Sequence, residues 1–153
     1  MSADQKTPIT NPEFNARMMA VQATYQTLQN AQDLRTLIEE YLTHRRDVRT
    51  VEGETLGTPD KALFRKILLA LEARQEEVIS ILSAHAENRP EKQTEPLLRA
   101  ILMCAVAEIL AHAEVETPLL INDYLNICHS FYGQAQVSFV NGVLDRIAKR
   151  LRA

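Results

Sequence analysis

An all-α fold, two small helical bundles packed as one compact domain, is predicted by three observations on the sequence. Apolar residues recur every three or four positions, and nowhere do four to eight residues alternate apolar and polar convincingly. The chain of 153 residues holds only four glycines and no tryptophan, a composition that favours helices over a sandwich or barrel. No proline interrupts an apolar stripe, as helices require.

The elements follow in order. Residues 1–12 are expected to be a disordered tail, and 13–153 the folded domain. Helix one runs from about Glu13 to Asn30, with Met18, Val21, Tyr25 and Leu28 on one face. Helix two follows with Leu34, Leu37, Ile38, Tyr41 and Leu42. The polar stretch from His44 to Gly57 reads as a loop. A long helix then starts at Pro59 and keeps Leu63, Phe64, Ile67, Leu68, Leu71, Val78, Ile79 and Leu82 in register. Charged residues from Glu87 to Gln93 make a linker that separates an N-terminal bundle (13–88) from a C-terminal one (94–153).

Leu97 to Ala111 is nearly continuous apolar sequence, the pattern of a central helix covered on most sides. A further helix runs from Pro118 to about Phe131, with Ile121, Tyr124, Leu125 and Cys128 inward. After the turn Tyr132-Gly133-Gln134, the last helix lays Phe139, Val143, Ile147 and Leu151 on one face. Asn11-Pro12, Thr58-Pro59 and Thr117-Pro118 each have the form of an N-cap with proline at the first helical position. Asn141-Gly142 is the anomaly, because a glycine inside a helix costs about 1 kcal/mol against alanine. It implies close backbone packing or a surface kept bare for a partner.

Composition narrows the function classes. A net charge of −3 does not suggest a general nucleic-acid binder, so contact with nucleic acid must be local or shared with a partner. No run of about 18 apolar residues spans a membrane, and the N-terminus has no secretory apolar region. Cytoplasmic placement with reduced thiols is the plain expectation. Phosphate-loop and hydrolase motifs are absent, so no enzyme and no cofactor is expected. Glu39-Glu40 and Glu76-Glu77 point to different sides of their helices. Cys104, Cys128, His112 and His129 lack the paired spacing of a zinc site, and no metal is expected. Two basic runs remain: His44-Arg45-Arg46-Asp47-Val48-Arg49, and Arg146, Lys149, Arg150 and Arg152 along the exposed side of the last helix. Either they are solvated charges favourable to the helix dipole, or they contact phosphates.

From about Phe14 to Arg150 the chain resembles the NusB family of bacterial transcription antitermination proteins. Three blocks carry the resemblance. The first is Arg17-x-x-Ala20-Val21-Gln22-Ala23-x-Tyr25-Gln26. The second is Arg99-Ala100-Ile101-Leu102 with Ala105 and Glu108-Ile109. The third joins Ile121-Asn122-Asp123 to Phe139-Val140-Asn141-Gly142-Val143-Leu144-Asp145. The resemblance implies a non-enzymatic RNA-binding factor that pairs with the ribosomal small-subunit protein NusE. The pair would hold single-stranded boxA RNA within the RNA polymerase antitermination complex. It places Arg17, Ser138, Phe139, Arg146, Lys149 and Arg150 toward RNA, and Tyr25, Leu98 and Ala135 toward the protein partner. For Phe139 and Tyr25, core packing is the rival reading.

The chain departs from the family pattern in its polar residues. One arginine survives of the first-helix cluster, Ala135 stands at a loop acid's place, and Ser138 at a lysine's. Leu98 replaces a glutamate and Met103 an arginine. The alternative is therefore an interaction module that keeps the fold without boxA recognition, with another partner or a homodimer through the first helices. Kinship with the NusB-like domain of RNA methyltransferases is a third reading, although 153 residues leave no room for a cofactor domain.

Overall fold

The structure, a computed structural model, describes residues 11–44, 48–49, 55–86 and 95–152. Among the described residues seven helices carry the fold: α1 (Pro12–Asn30), α2 (Leu34–His44), α3 (Lys61–Ala73), α4 (Gln75–Ala86), α5 (Pro96–Ala111), α6 (Thr117–Phe131) and α7 (Gln134–Leu151). Between α2 and α3 a short antiparallel ribbon pairs β1 (Val48–Arg49) with β2 (Thr55–Gly57), where a loop was expected. The disordered tail expected at 1–12 lies outside the described residues except for Asn11 and Pro12.

Side-chain caps mark where α1, α2 and α3 begin. Asn11 starts α1 as expected, its Oδ1 accepting from the Phe14 N–H at 3.0 Å, with Pro12 in the first turn. Ala31 ends α1 in the left-handed region (φ 56°), and Asp33 then accepts from the Thr36 N–H to start α2. The other two expected caps fall differently. Asp60, not Thr58, caps α3 by accepting from the Leu63 N–H at 3.0 Å. The segment before it is tied to α1: Asp60 N–H donates to the Pro12 carbonyl and Asn15 Nδ2 to the Thr58 carbonyl. Thr117 lies inside α6, whose cap residue is Glu116, and its hydroxyl accepts from Arg152 instead.

The long helix expected from Pro59 divides at Arg74, which leaves helical geometry at φ −120°. No glycine or proline marks this break. Its effect is to turn α4 away from α3 and onto α5 and α7.

One apolar core runs through the whole molecule. Helix α5 is its axis: every residue from Ala100 to Ile109 is buried, and α1, α3, α4, α6 and α7 all pack against it. Tyr41 stacks on Phe64 with ring centroids 5.8 Å apart, joining α2 to α3, and its hydroxyl donates to Gln26 Oε1. Cys104 and Cys128 are buried free thiols. Burial pushes Cys104 up to about 12 and Cys128 to about 11, so both stay protonated and inert.

Candidate nucleic-acid interface

The first-helix arginine has a different position from the one expected. Arg17 is 2% exposed, in the run Asn15-Ala16-Arg17-Met18-Met19 that α1 buries. Its guanidinium forks onto Glu108 of α5, Nε to Oε2 at 2.6 Å and Nη2 to Oε1 at 3.1 Å. Nη1 donates to Asp123 Oδ2 of α6 at 2.9 Å. Glu108 is fully buried and also takes the Tyr124 hydroxyl at 2.7 Å and His112 Nδ1 at 2.9 Å. Phosphate contact by Arg17 is therefore corrected: its donors are spent inside, joining three helices.

Charge in this network follows from its partners. Burial alone would raise the Glu108 carboxyl, but hydrogen bonds from His112 and Arg17 and the arginine's charge outweigh it, and the net shift is downward. Asp123 has fewer partners, so burial wins and its carboxyl is shifted upward. Burial likewise holds the Tyr124 phenol well above its ordinary range. The arrangement joins buried charges of α1, α5 and α6, and it serves as a three-helix staple.

Leu98 is a second correction, since it is 2% exposed and belongs to the core. A partner cannot touch it in this arrangement. Tyr25 is half-buried and packs against the core, and Ala135 is exposed at the start of α7.

The other sites converge on α7. Val137, Val140, Val143, Leu144, Ile147 and Ala148 are its buried face, so the apolar stripe is centred about one position from the expected one. That shift leaves Phe139 half-buried at the rim of the core and Leu151 39% exposed. At 3.6 residues per turn, Ala135, Ser138, Phe139, Gly142, Arg146, Lys149 and Arg150 share about a third of the circumference. Arg146 lies along this face with Nη2 donating to the His85 carbonyl of α4 at 3.0 Å. Lys149 pairs with Asp145 at 3.1 Å, both groups largely exposed, and Arg150 is exposed. Ser138 Oγ accepts from Gln134 Nε2.

Gly142 sits in the middle of this face, and of its two expected readings, close backbone packing or a bare surface, the close packing is not found. A Cβ there would meet only Arg146 Nη1, at 3.4 Å. The glycine keeps the surface low between Phe139 and Arg146, with no neighbouring backbone against it.

Arg152 leaves the expected basic row altogether. It folds back over the end of α5 and donates to the carbonyls of His112 (2.7 Å), Val115 (2.6 Å) and Ile109 (3.1 Å). It thus satisfies carbonyls that the helix end leaves open. Of the other basic run, Arg45 and Arg46 lie outside the described residues.

Sequence reasoning missed the inward, structural roles of Glu108 as anchor, Asp123, His112 and Arg152. The first two had a signal: each is a lone acid on an apolar helix face, and one arginine lies on another such face. Among the described residues no group of three or more His, Cys, Asp or Glu is placed to hold a metal, and no helix is long and apolar enough to cross a membrane.

Comparisons with known proteins agree with this architecture. The T. maritima NusB structure superposes with a TM-score of 0.74 at 22% identity, covering 92% of this chain and 93% of that one, which is a likeness of fold. The transcription antitermination protein NusB of Gluconobacter oxydans is 33% identical, over 97% of this chain and 93% of its own length. That of Caulobacter vibrioides is 32% identical over 92% and 95%. The model of the NusB family matches residues 14–149, spanning α1 to all but the end of α7, and the chain belongs to the NusB family.

Proposed function

We propose that this chain is a non-enzymatic transcription antitermination factor that holds single-stranded RNA against the exposed face of α7. The observation that carries the reading is the placement of Phe139 at the rim of the core, with Arg146, Lys149 and Arg150 down the same face. Single strands expose base faces to aromatic rings and phosphates to cations, and this face offers both at helical spacing. Its relatives carry the name transcription antitermination protein, which supports the same role.

The finer reading is a boxA-type RNA on nascent ribosomal transcripts, held jointly with NusE in the RNA polymerase antitermination complex of the cytoplasm. Tyr25 and Ala135 are the remaining candidates for the protein contact, both with side chains open in part to solvent. Fluorescence anisotropy of a labelled boxA RNA, with and without NusE, tests it. Salt-sensitive binding that tightens with NusE is expected, and no binding in either case would overturn the proposal.

A second reading has its own observation. With Arg17 inside, Leu98 inside, and Ala135 and Ser138 uncharged, polar contacts are lost while the core is kept. An interaction module without boxA recognition, self-paired through α1 or joined to another protein, would then bind no boxA RNA. Sedimentation of the chain alone would reveal the homodimer.

A further inference from the structure

A cleft of about 480 Å³ opens at the opposite end of α1 from Tyr25, and its chemistry is unlike that of α7. Helices α1 and α5 run antiparallel, as the contacts Arg17–Glu108 and Thr24–Cys104 show, so the start of α1 meets the end of α5. There the first turns of α1 and α3 and the connection from α5 to α6 enclose the cleft.

Four carboxylates line it: Glu13, Asp60, Glu114 and Glu116. The two cations in its walls are already engaged. Arg17 is held by Glu108 and Asp123, and Lys66 pairs with Glu114 at 3.3 Å. Among these acids are the apolar groups of Leu63, Val115 and Leu119. Leu119 is 58% exposed, the more open of the two exposed large apolar side chains among the described residues. The walls are preformed, because Arg152 fixes the connection through the carbonyls of His112 and Val115 and the hydroxyl of Thr117.

We infer that this cleft docks a segment of a partner protein that presents a lysine or arginine beside a branched aliphatic residue. Charge complementarity selects the occupant. An excess of carboxylates repels RNA phosphates and attracts ammonium or guanidinium groups. A bare metal ion does not fit, because no group of metal-ligating side chains comes together among the described residues. Exposed Leu119 beside Val115 and Leu63 gives the apolar half of the contact, which a free polyamine would leave unused.

The test is a titration of the full chain, followed by its amide NMR shifts, with the capped peptide Ac-Arg-Leu-Lys-Ile-Arg-Leu-NH2. Saturable shifts are expected at residues 60–66 and 114–119, weakened by about 0.5 M salt. Leu119→Ser removes most of one apolar contact and is expected to weaken binding about tenfold. Glu116→Gln weakens it by a smaller factor and lowers its salt sensitivity. Both side chains are exposed, so an unchanged unfolding midpoint verifies that the variants fold. Absent or scattered shifts would overturn the inference. So would equal shifts from a glutamate-for-cation peptide or from spermidine alone, or full affinity in Leu119→Ser.

Discussion

Arg17 and Arg146 are both arginines within the family-matching part of the chain, yet they are used in opposite ways. Arg17 faces two carboxylates and the interior, whereas Arg146 lies on the outer face of α7 and donates to one carbonyl. The difference lies in the neighbours. Around Arg17 the flanking residues of α1 are buried and α5 brings Glu108 to meet it. Around Arg146 the buried face of its helix points away. A charged residue's type therefore says little about its role until its surroundings are known.

The largest effect that would break this contrast is on stability. Arg17→Ala leaves Glu108 buried with its main countercharge gone, and such losses cost about 3–5 kcal/mol. Urea unfolding should show that drop, while Arg150→Ala should stay within about 0.5 kcal/mol of the parent. Pairing Arg17→Met with Glu108→Leu should recover part of the loss, because neither buried charge then lacks its partner. A mild Arg17→Ala would remove the distinction between the two arginines.

Next comes the aromatic at the rim. Phe139→Ala should weaken RNA binding by about 1–3 kcal/mol, the worth of one base stacked on an aromatic ring. If binding is unchanged, the ring serves packing alone.

The pH dependence of stability sharpens the inner region. Glu108 has a lowered carboxyl in the fold, so its contribution is complete above the ordinary carboxylate pKa of about 4.3 and is lost as pH falls through the folded value. Asp123 is raised, so protonating it favours the fold as pH falls, and that contribution disappears as pH rises through its folded value. Acid unfolding should therefore become shallower in Glu108→Gln and steeper in Asp123→Asn, measured as urea midpoints between about pH 3 and 7. Matching slopes in the two variants would show that the carboxylates are equivalent.

Gly142→Ala is the smallest change. The fold should gain up to about 1 kcal/mol, because the added methyl meets only the movable end of Arg146. RNA affinity should fall if the low surface beside Phe139 receives a nucleotide. A stable variant with full RNA affinity would leave the glycine without a binding role.

Much of the fold was legible because helices declare themselves by period. The stripes of α1, α2, α5 and α6 and the Asn11 cap all appear in the sequence. The break at Arg74 was not legible, since Ala73-Arg74-Gln75 contains no helix breaker and only the packing of α4 on α5 and α7 requires it. The ribbon at Val48–Arg49 and Thr55–Gly57 is too short for alternation to register. For the site, the exposed cations of α7 could be read from periodicity. The inward turn of Arg17 and Arg152 could not, because it depends on acceptors far along the chain: Glu108 and Asp123 for one, the carbonyls at the end of α5 for the other.

The central claim is that α7, and not the buried first-helix arginine, supplies the grip on RNA. The most direct measurement is the salt dependence of boxA RNA affinity for the parent and for the triple variant Arg146→Ala, Lys149→Ala, Arg150→Ala. Three phosphate contacts on a single strand correspond to a fall of about 2 in the log–log slope, at about 0.7 each. A fall of that size with an unchanged unfolding midpoint is the predicted result, and a slope equal to the parent's would contradict it.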